Sequence, residues 1–375
     1  MRGKILLLSA YDASSHKQWR ERLASMFPQH DWTQLALPPR HFNWRIRGNS
    51  LQWGFGEFDA LHTQYDLLIA TSMVDLSSLR GFLPCLAQIP SIVYFHENQF
   101  VYPAGVKQRK ENVEPQLIPL YAALCADAVI FNSEYNRRTF LAGARRLFQK
   151  LPDDLATTLL PRLEKSEVIP VPLPVIDTLS QTTSDNSLLE VIWNHRWEYD
   201  KDPGLLLQVV RLITEGKIPI RLHIVGEQFR LRPAEFEQMQ ALLRQHAATL
   251  NRAEGEFGFI DNRQDYYALL QRGDVVLSTA LHDFQGLALQ EACAFGCTPL
   301  APDNLVYPEY LAAQFLYPAQ NQTDSAAQHI FSRLAEWLKI KLAGADLPKA
   351  DLKEFSQSEL QAKYAAVFSR LMIQR

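Results

Sequence analysis

Two charged constellations stand in the second half of the chain. The run Asn194-His195-Arg196-Trp197-Glu198-Tyr199-Asp200-Lys201 places two cations, Arg196 and Lys201, just past the apolar run from Leu189 to Trp193, which reads as a buried strand. The run His282-Asp283-Phe284-Gln285-Gly286-Leu287-Ala288-Leu289-Gln290-Glu291 sets two carboxylates around a predicted helix N-terminus. Fixed cations neutralise a diphosphate, a carboxylate such as Glu291 accepts hydrogen bonds from ribose hydroxyls, and the amides opening a helix after Phe284 add an anion site. Together these are the parts of a site for a sugar nucleotide. Arg196 and Lys201 are its candidate catalytic cations, an exposed charged pair on a loop being the alternative, and Phe284, Gln285, Gly286, Leu287 and Glu291 are donor-binding positions. An Asp before a helix is also an ordinary N-cap, and Asp283 can serve as both cap and part of the site.

Such residues need strands behind them. Short apolar runs recur at Lys4 to Leu8, Asp66 to Ala70, Ser91 to Phe95, Ala128 to Phe131 and Glu167 to Val171. A second series starts at Leu189 to Trp193 and continues with Ile220 to Val225, Glu256 to Ile260, Asp274 to Leu277 and Thr298 to Ala301. Each run is followed by a helical pattern, which implies an α/β protein with parallel sheets. Ligands of such sheets sit beyond the carboxyl ends of the strands. That rule collects Ser14, Ser15, His16 and Lys17 after the first run, Thr71-Ser72 after the second, and His96-Glu97-Asn98-Gln99 after the third. Asn132-Ser133 follow the fourth run, and in the second series Arg196, Gly226-Glu227, Asp261 and His282-Asp283 hold the same position.

At 375 residues the chain exceeds what one hydrophobic core serves, so two domains are expected, at 1–172 and 188–350, with a helix at 355–375. Pro172 to Ser187 reads as the linker, and Ser356-Gln357-Ser358-Glu359 as the capping box of that helix. A net charge of −3 excludes a generally basic nucleic-acid binder and leaves a local basic face open. The apolar run at the start ends at Tyr11-Asp12, too short for a signal peptide, and no stretch reaches the roughly 20 apolar residues of a membrane span. A cytoplasmic protein without membrane contact is expected, and its oligomeric state is not readable. Cys85, Cys125, Cys293 and Cys297 form no disulfide framework. Cys293 and Cys297 near His282 raise a metal site as an alternative, but the packing reading is preferred because no second ligand pair has zinc-like spacing.

The segment Pro38-Pro39-Arg40-His41-Phe42-Asn43-Trp44-Arg45-Ile46-Arg47-Gly48 interleaves guanidinium groups with aromatics. That chemistry suits phosphates and unstacked bases of a single-stranded RNA loop. A solvated loop with an anchoring aromatic is the alternative. Arg40, Trp44, Arg45 and Arg47, with His16, Lys17, Asn98 and Gln99, are therefore the candidate acceptor-side residues, and Lys107-Gln108-Arg109-Lys110 and Arg137-Arg138 add charge to the same domain.

The Arg196-to-Lys201 step and the run from Asp283 to Glu291-Ala292 enclosing Gly286-Leu287 resemble the family-4-type retaining glycosyltransferases of the GT-B fold. Within that group, His96-Glu97-Asn98-Gln99, Phe131-Asn132-Ser133-Glu134-Tyr135-Asn136, Asn194 to Pro203 and Leu305-Val306-Tyr307-Pro308-Glu309 resemble the tRNA-queuosine mannosyltransferase-like proteins, from about Ile5 to about Tyr310. The resemblance implies two Rossmann-like domains facing across a cleft and a C-terminal helix crossing back to the first. It implies hexose transfer from GDP-mannose to queuosine in a tRNA anticodon, with His96 contacting the donor sugar. It also assigns Glu291 to ribose and Asp283 to the hexose hydroxyls, against a reading of the two as a hydrolase acid/base pair. Ser14, Ser15, Gly226 and Glu227 fall to the donor side. The family's usual Glu is Asp283 here, and Ala13-Ser14 stands where relatives carry Gly-Gly. No Asp-x-Asp motif of the metal-dependent type is read, so no metal cofactor is expected and Arg196, Lys201 and the helix N-terminus take its place. Transfer to a lipid-linked or polysaccharide acceptor, and an RNA-binding protein with a vestigial donor site, are the rival readings.

Overall fold

The computed structural model describes residues 2–101, 113–176, 185–229, 232–319 and 323–373. Two compact units emerge, one from 1–174 with 354–375 and one from 175–353. The first holds strands β1 (Lys4–Ser9), β2 (Asp31–Ala36), β3 (Leu67–Thr71), β4 (Ser91–Phe95), β5 (Ala128–Phe131) and β6 (Glu167–Val168). Its helices are α1 (Ser14–Met26), α2 (Phe42–Phe55), α3 (Leu76–Phe82), α4 (Glu114–Cys125), α5 (Glu134–Phe148) and α6 (Ala156–Leu163). The second holds β7 (Leu189–Trp193), β8 (Ile220–Val225), β9 (Phe257–Gly258), β10 (Val275–Leu277), β11 (Thr298–Pro302) and β12 (Leu316–Tyr317). Its helices are α7 (Pro203–Gly216), α8 (Glu235–Thr249), α9 (Arg263–Arg272), α10 (Leu287–Ala294) and α11 (Thr323–Leu342), and α12 (Gln357–Met372) follows in the first unit.

Each sheet has six strands, in the orders β2-β1-β3-β4-β5-β6 and β12-β11-β10-β7-β8-β9. All their pairings are parallel. The central strands β3, β4 and β7 are buried at every residue, as strands covered by helices on both faces must be. Edge strand β2, Asp-Trp-Thr-Gln-Leu-Ala, is only half-buried, and its polar sequence does not stand out as an apolar run.

The segment around Trp44 is not the solvated loop of the alternative reading. From Phe42 it is helix α2, entered through His41 at φ 56° and running past Gly48 to Phe55. Tertiary bonds hold it: the Asn49 side-chain amide donates to the Met73 carbonyl at 3.1 Å and its oxygen accepts from the Asp75 amide at 3.0 Å. Helix α12 is capped by Ser356, whose hydroxyl accepts from the Glu359 amide. It buries Leu360, Tyr364, Val367, Phe368 and Leu371. Trp19 of α1 donates its indole N–H to the Tyr364 hydroxyl at 3.1 Å, and that hydroxyl donates to the Pro170 carbonyl. Part of the linker segment, and Lys107 to Lys110, lie outside the described residues. Among the described residues no helix is long and apolar enough to cross a membrane.

Candidate active site

In the second unit, β7 ends at Trp193 and delivers Asn194, His195 and Arg196. The loop beyond is pinned at both ends. Trp197 is fully buried, stacked on Phe236 with centroids 4.1 Å apart, and its amide donates to the Glu227 carbonyl. Asp202, at φ 46°, accepts from the Leu205 amide to cap α7, with Pro203 in its first turn. Between these anchors Lys201 is turned inward, only 7% exposed. Its Nζ donates to the His282 carbonyl at 2.5 Å and lies 3.3 Å from Asp200 and 3.6 Å from Asp283. The two sequence constellations thus form one cluster. Arg196 is the more open cation, its side chain 43% exposed, with Glu198 at 2.7 Å and Asp200 at 3.7 Å.

Asp283 Oδ1 accepts from the Gly286 amide at 3.0 Å and Oδ2 from the Tyr307 hydroxyl at 3.2 Å. Burial pushes its carboxyl up, but nearby Lys201 and the Gly286 amide outweigh this and hold it down at about 2, so it is ionised at neutral pH. Gly286, at φ 75°, opens α10, and a Cβ there would come within 2.7 Å of the Tyr310 hydroxyl. The amide of Leu287 leads the helix, and Glu291 lies buried on its next turn. Phe284 and Gln285 are also buried, Phe284 edge-on to His282 and Gln285 donating to Gln290. Their side chains serve the loop rather than offering a ligand surface. Gly226, at φ 152°, brings the turn after β8 against the His195 carbonyl, where a Cβ would collide. Exposed Glu227 is next in the chain, and Asp261 is exposed beyond β9. His195 and His282 are driven down to about 3 and about 4, first by burial and then by Lys201, so both are neutral. Asp200, Tyr307 and the role of His195 were not singled out from the sequence, although Tyr307 lies in the quoted Leu305 to Glu309 string.

Asp200-Lys201-Asp202 has the letters of an Asp-x-Asp motif, but Asp202 caps α7 while Asp200 faces Lys201, so the two carboxylates have separate duties. Among the described residues no cluster of three or more His, Cys, Asp or Glu side chains could hold a metal ion. Cys297 donates to the Leu270 carbonyl, and burial raises both thiols, Cys297 to about 12, which fits packing residues.

In the first unit, Ser14 and Ser15 open α1 past the end of β1, without a side-chain cap. His16 and Asn98 do not offer the acceptor-side surface the sequence suggested. His16 is 3% exposed and stacks on His96 at 4.1 Å, while Trp19 and Tyr94 approach His96 edge-on, each at 4.8 Å. Burial lowers both histidines, and neither ring nitrogen of His96 has a partner among the described residues. Asn98 donates to Asn136, Asn136 to Asn132 and Asn132 to the His96 carbonyl, an asparagine chain that braces the His96 loop. This explains why His96-Glu97-Asn98-Gln99 and Phe131 to Asn136 occur together; Gln99 itself is half-buried. Lys17 and Arg40 are exposed, Arg45 donates to Gln52, and Arg47 pairs with Glu114 at 2.8 Å and Asp75 at 3.2 Å. Trp44, 55% exposed, lies across Gly48, where any Cβ would strike the indole. One face of the ring rests on the helix.

The family model described as tRNA-queuosine alpha-mannosyltransferase N-terminal matches residues 4–173, and that described as Glycosyl transferases group 1 matches 180–341. The chain is 31% identical to a Drosophila melanogaster tRNA-queuosine alpha-mannosyltransferase over 98% of this chain and 96% of that protein. Among solved structures, sucrose-phosphate synthase of Thermosynechococcus elongatus matches with a TM-score of 0.64 at 14% identity, covering 99% of this chain and 100% of that one. HepE of Anabaena in complex with UDP matches with a TM-score of 0.62 at 14% identity, covering 98% and 100%. At such identities these structures carry the fold alone, and that fold is GT-B, as the resemblance implied.

Proposed function

The chain belongs to the tRNA-queuosine alpha-mannosyltransferase family and is a glycosyltransferase, and on that premise we propose that it transfers mannose from GDP-mannose to queuosine in a tRNA anticodon, with retention. The observation that carries the donor half is the joined cluster of Arg196, Lys201 and Asp283 at the start of α10. As the glycosidic bond to phosphate breaks, negative charge grows on the leaving diphosphate, and fixed cations stabilise it more than they stabilise the ground state. Arg196 and Lys201 do this without a metal ion. Ionised Asp283 accepts hexose hydroxyls, its direction fixed by the Gly286 and Tyr307 bonds. Glu291 takes the ribose. A tRNA acceptor suits a cytoplasmic enzyme.

The test incubates the protein and GDP-mannose, with and without EDTA, with tRNA that carries or lacks queuosine, then weighs the digested nucleosides. One added hexose on queuosine alone, insensitive to EDTA, is expected. Transfer to a lipid or saccharide with none to queuosine overturns the acceptor, and activity restored only by a divalent ion overturns the metal-free donor site.

On the acceptor side, the support is Trp44 laid over Gly48 with Arg40 exposed nearby. A ring held flat on a helix with its outer face free is a stacking platform for an unstacked base. Trp44→Ala should weaken tRNA binding by about 1–3 kcal/mol with little change in its salt dependence. GDP binding should not move. Filter-binding titrations at several salt concentrations check this, and unchanged RNA affinity removes α2 from the acceptor site.

A further inference from the structure

We propose that the carboxylates of Asp200 and Glu198 are internal stand-ins for the donor's diphosphate, neutralising Lys201 and Arg196 until a nucleoside diphosphate displaces them. This rests on the donor-site reading above. Around the two cations stand three carboxylates, Glu198, Asp200 and Asp283, so an arriving diphosphate meets a site whose positive charge is already matched. Some carboxylate must give way.

The geometry says which. Lys201 faces the His282 carbonyl, Asp283 and Asp200. The first is backbone, and the second is anchored through both oxygens by the Gly286 amide and the Tyr307 hydroxyl. Asp200 Oδ2 is buried and makes no hydrogen bond among the described residues, yet that one oxygen lies 3.3 Å from Lys201 Nζ and 3.7 Å from Arg196 Nη2. A single oxygen between two cations marks the place a bridging phosphate oxygen takes, and unlike Asp283 Oδ1 and Oδ2 it has no hydrogen bond among the described residues to hold it. Glu198 holds the other side of Arg196 at 2.7 Å with its side chain 35% exposed, free to swing outward. After transfer the same carboxylates re-pair with the cations and help expel the nucleoside diphosphate.

Calorimetric titration of GDP, UDP and guanosine into the wild type, Asp200→Asn and Glu198→Gln tests this. Asp200→Asn should tighten whichever nucleoside diphosphate the wild type binds by about tenfold, since a like charge next to the ligand has been removed. Glu198→Gln, at the more exposed position, should tighten it by about threefold. Guanosine, which has no phosphates, should bind all three proteins alike. If Asp200→Asn does not fold, Glu198→Gln decides alone. Equal or weaker diphosphate binding by the folded variants, or equal tightening for guanosine, overturns the proposal while leaving the donor site standing. Failure of the wild type to bind either diphosphate brings down the donor reading and the proposal with it.

Discussion

Arg196→Ala should lower kcat on the order of a hundred- to a thousand-fold, about 3 kcal/mol of lost leaving-group stabilisation, while the protein stays folded. Its side chain is 43% exposed, and its partners Glu198 and Asp200 can be solvated or can pair with Lys201. Lys201→Ala should lose as much turnover and also stability. Its ammonium is buried against Asp200 and Asp283, and leaving buried carboxylates without their cation costs about 3–5 kcal/mol. Equivalent-looking members of one sequence motif should therefore separate in a thermal melt: unchanged Tm for Arg196→Ala, a marked fall for Lys201→Ala. Steady-state kinetics with hexose transfer as the readout completes the comparison. Near-normal transfer by the double variant would show that neither cation stabilises the leaving group.

Acidification should weaken the fold steeply, well before carboxylates titrate. His195 and His282 have an ordinary value of 6.5 and are held at about 3 and about 4 in the folded protein, by burial first and by Lys201 next. A depressed folded-state value gives stability that is complete above the unfolded value and lost as pH falls below it, because the unfolded chain binds protons the folded one refuses. From pH 7 to pH 5 each group removes about 2 kcal/mol, so the pair removes about 4 kcal/mol. His16 and His96, also lowered by burial, act in the same direction. Denaturant midpoints at pH 7, 6 and 5 measure the slope. A flat or rising profile would mean these rings are paired or solvated. His195→Asn should flatten part of it.

The strands that carry the site were legible because they are central: Ile-Val-Tyr-Phe before His96 and Leu-Glu-Val-Ile-Trp before Asn194 are apolar enough to need cover on both faces. The edges were not. β2 alternates polar residues and β12 has two residues, so neither makes a run. The helical form of α2 was not legible, because the Asn49 bonds to Met73 and Asp75 that hold it depend on neighbours distant in sequence. At the site, Arg196, Lys201 and Asp283 were legible from type and spacing. Their counter-charges were not, since the contact of Asp200 with both cations comes from a turn whose direction is set by Trp197 and the Asp202 cap. The burial of His16 and Asn98 was not legible, because a strand-end position does not reveal whether a side chain points inward.

The return of α12 to the first unit sets an order of events during synthesis. Residues 175–353 leave the ribosome as one continuous stretch and can fold when the last of them emerges, whereas 1–174 must wait for Tyr364 to seat against Trp19 and Pro170. At about 5–20 residues per second that wait is on the order of 10–40 s after β6 appears. Throughout it the nascent first unit exposes the surface on Phe27 and Trp19 that Phe368 and Tyr364 later cover.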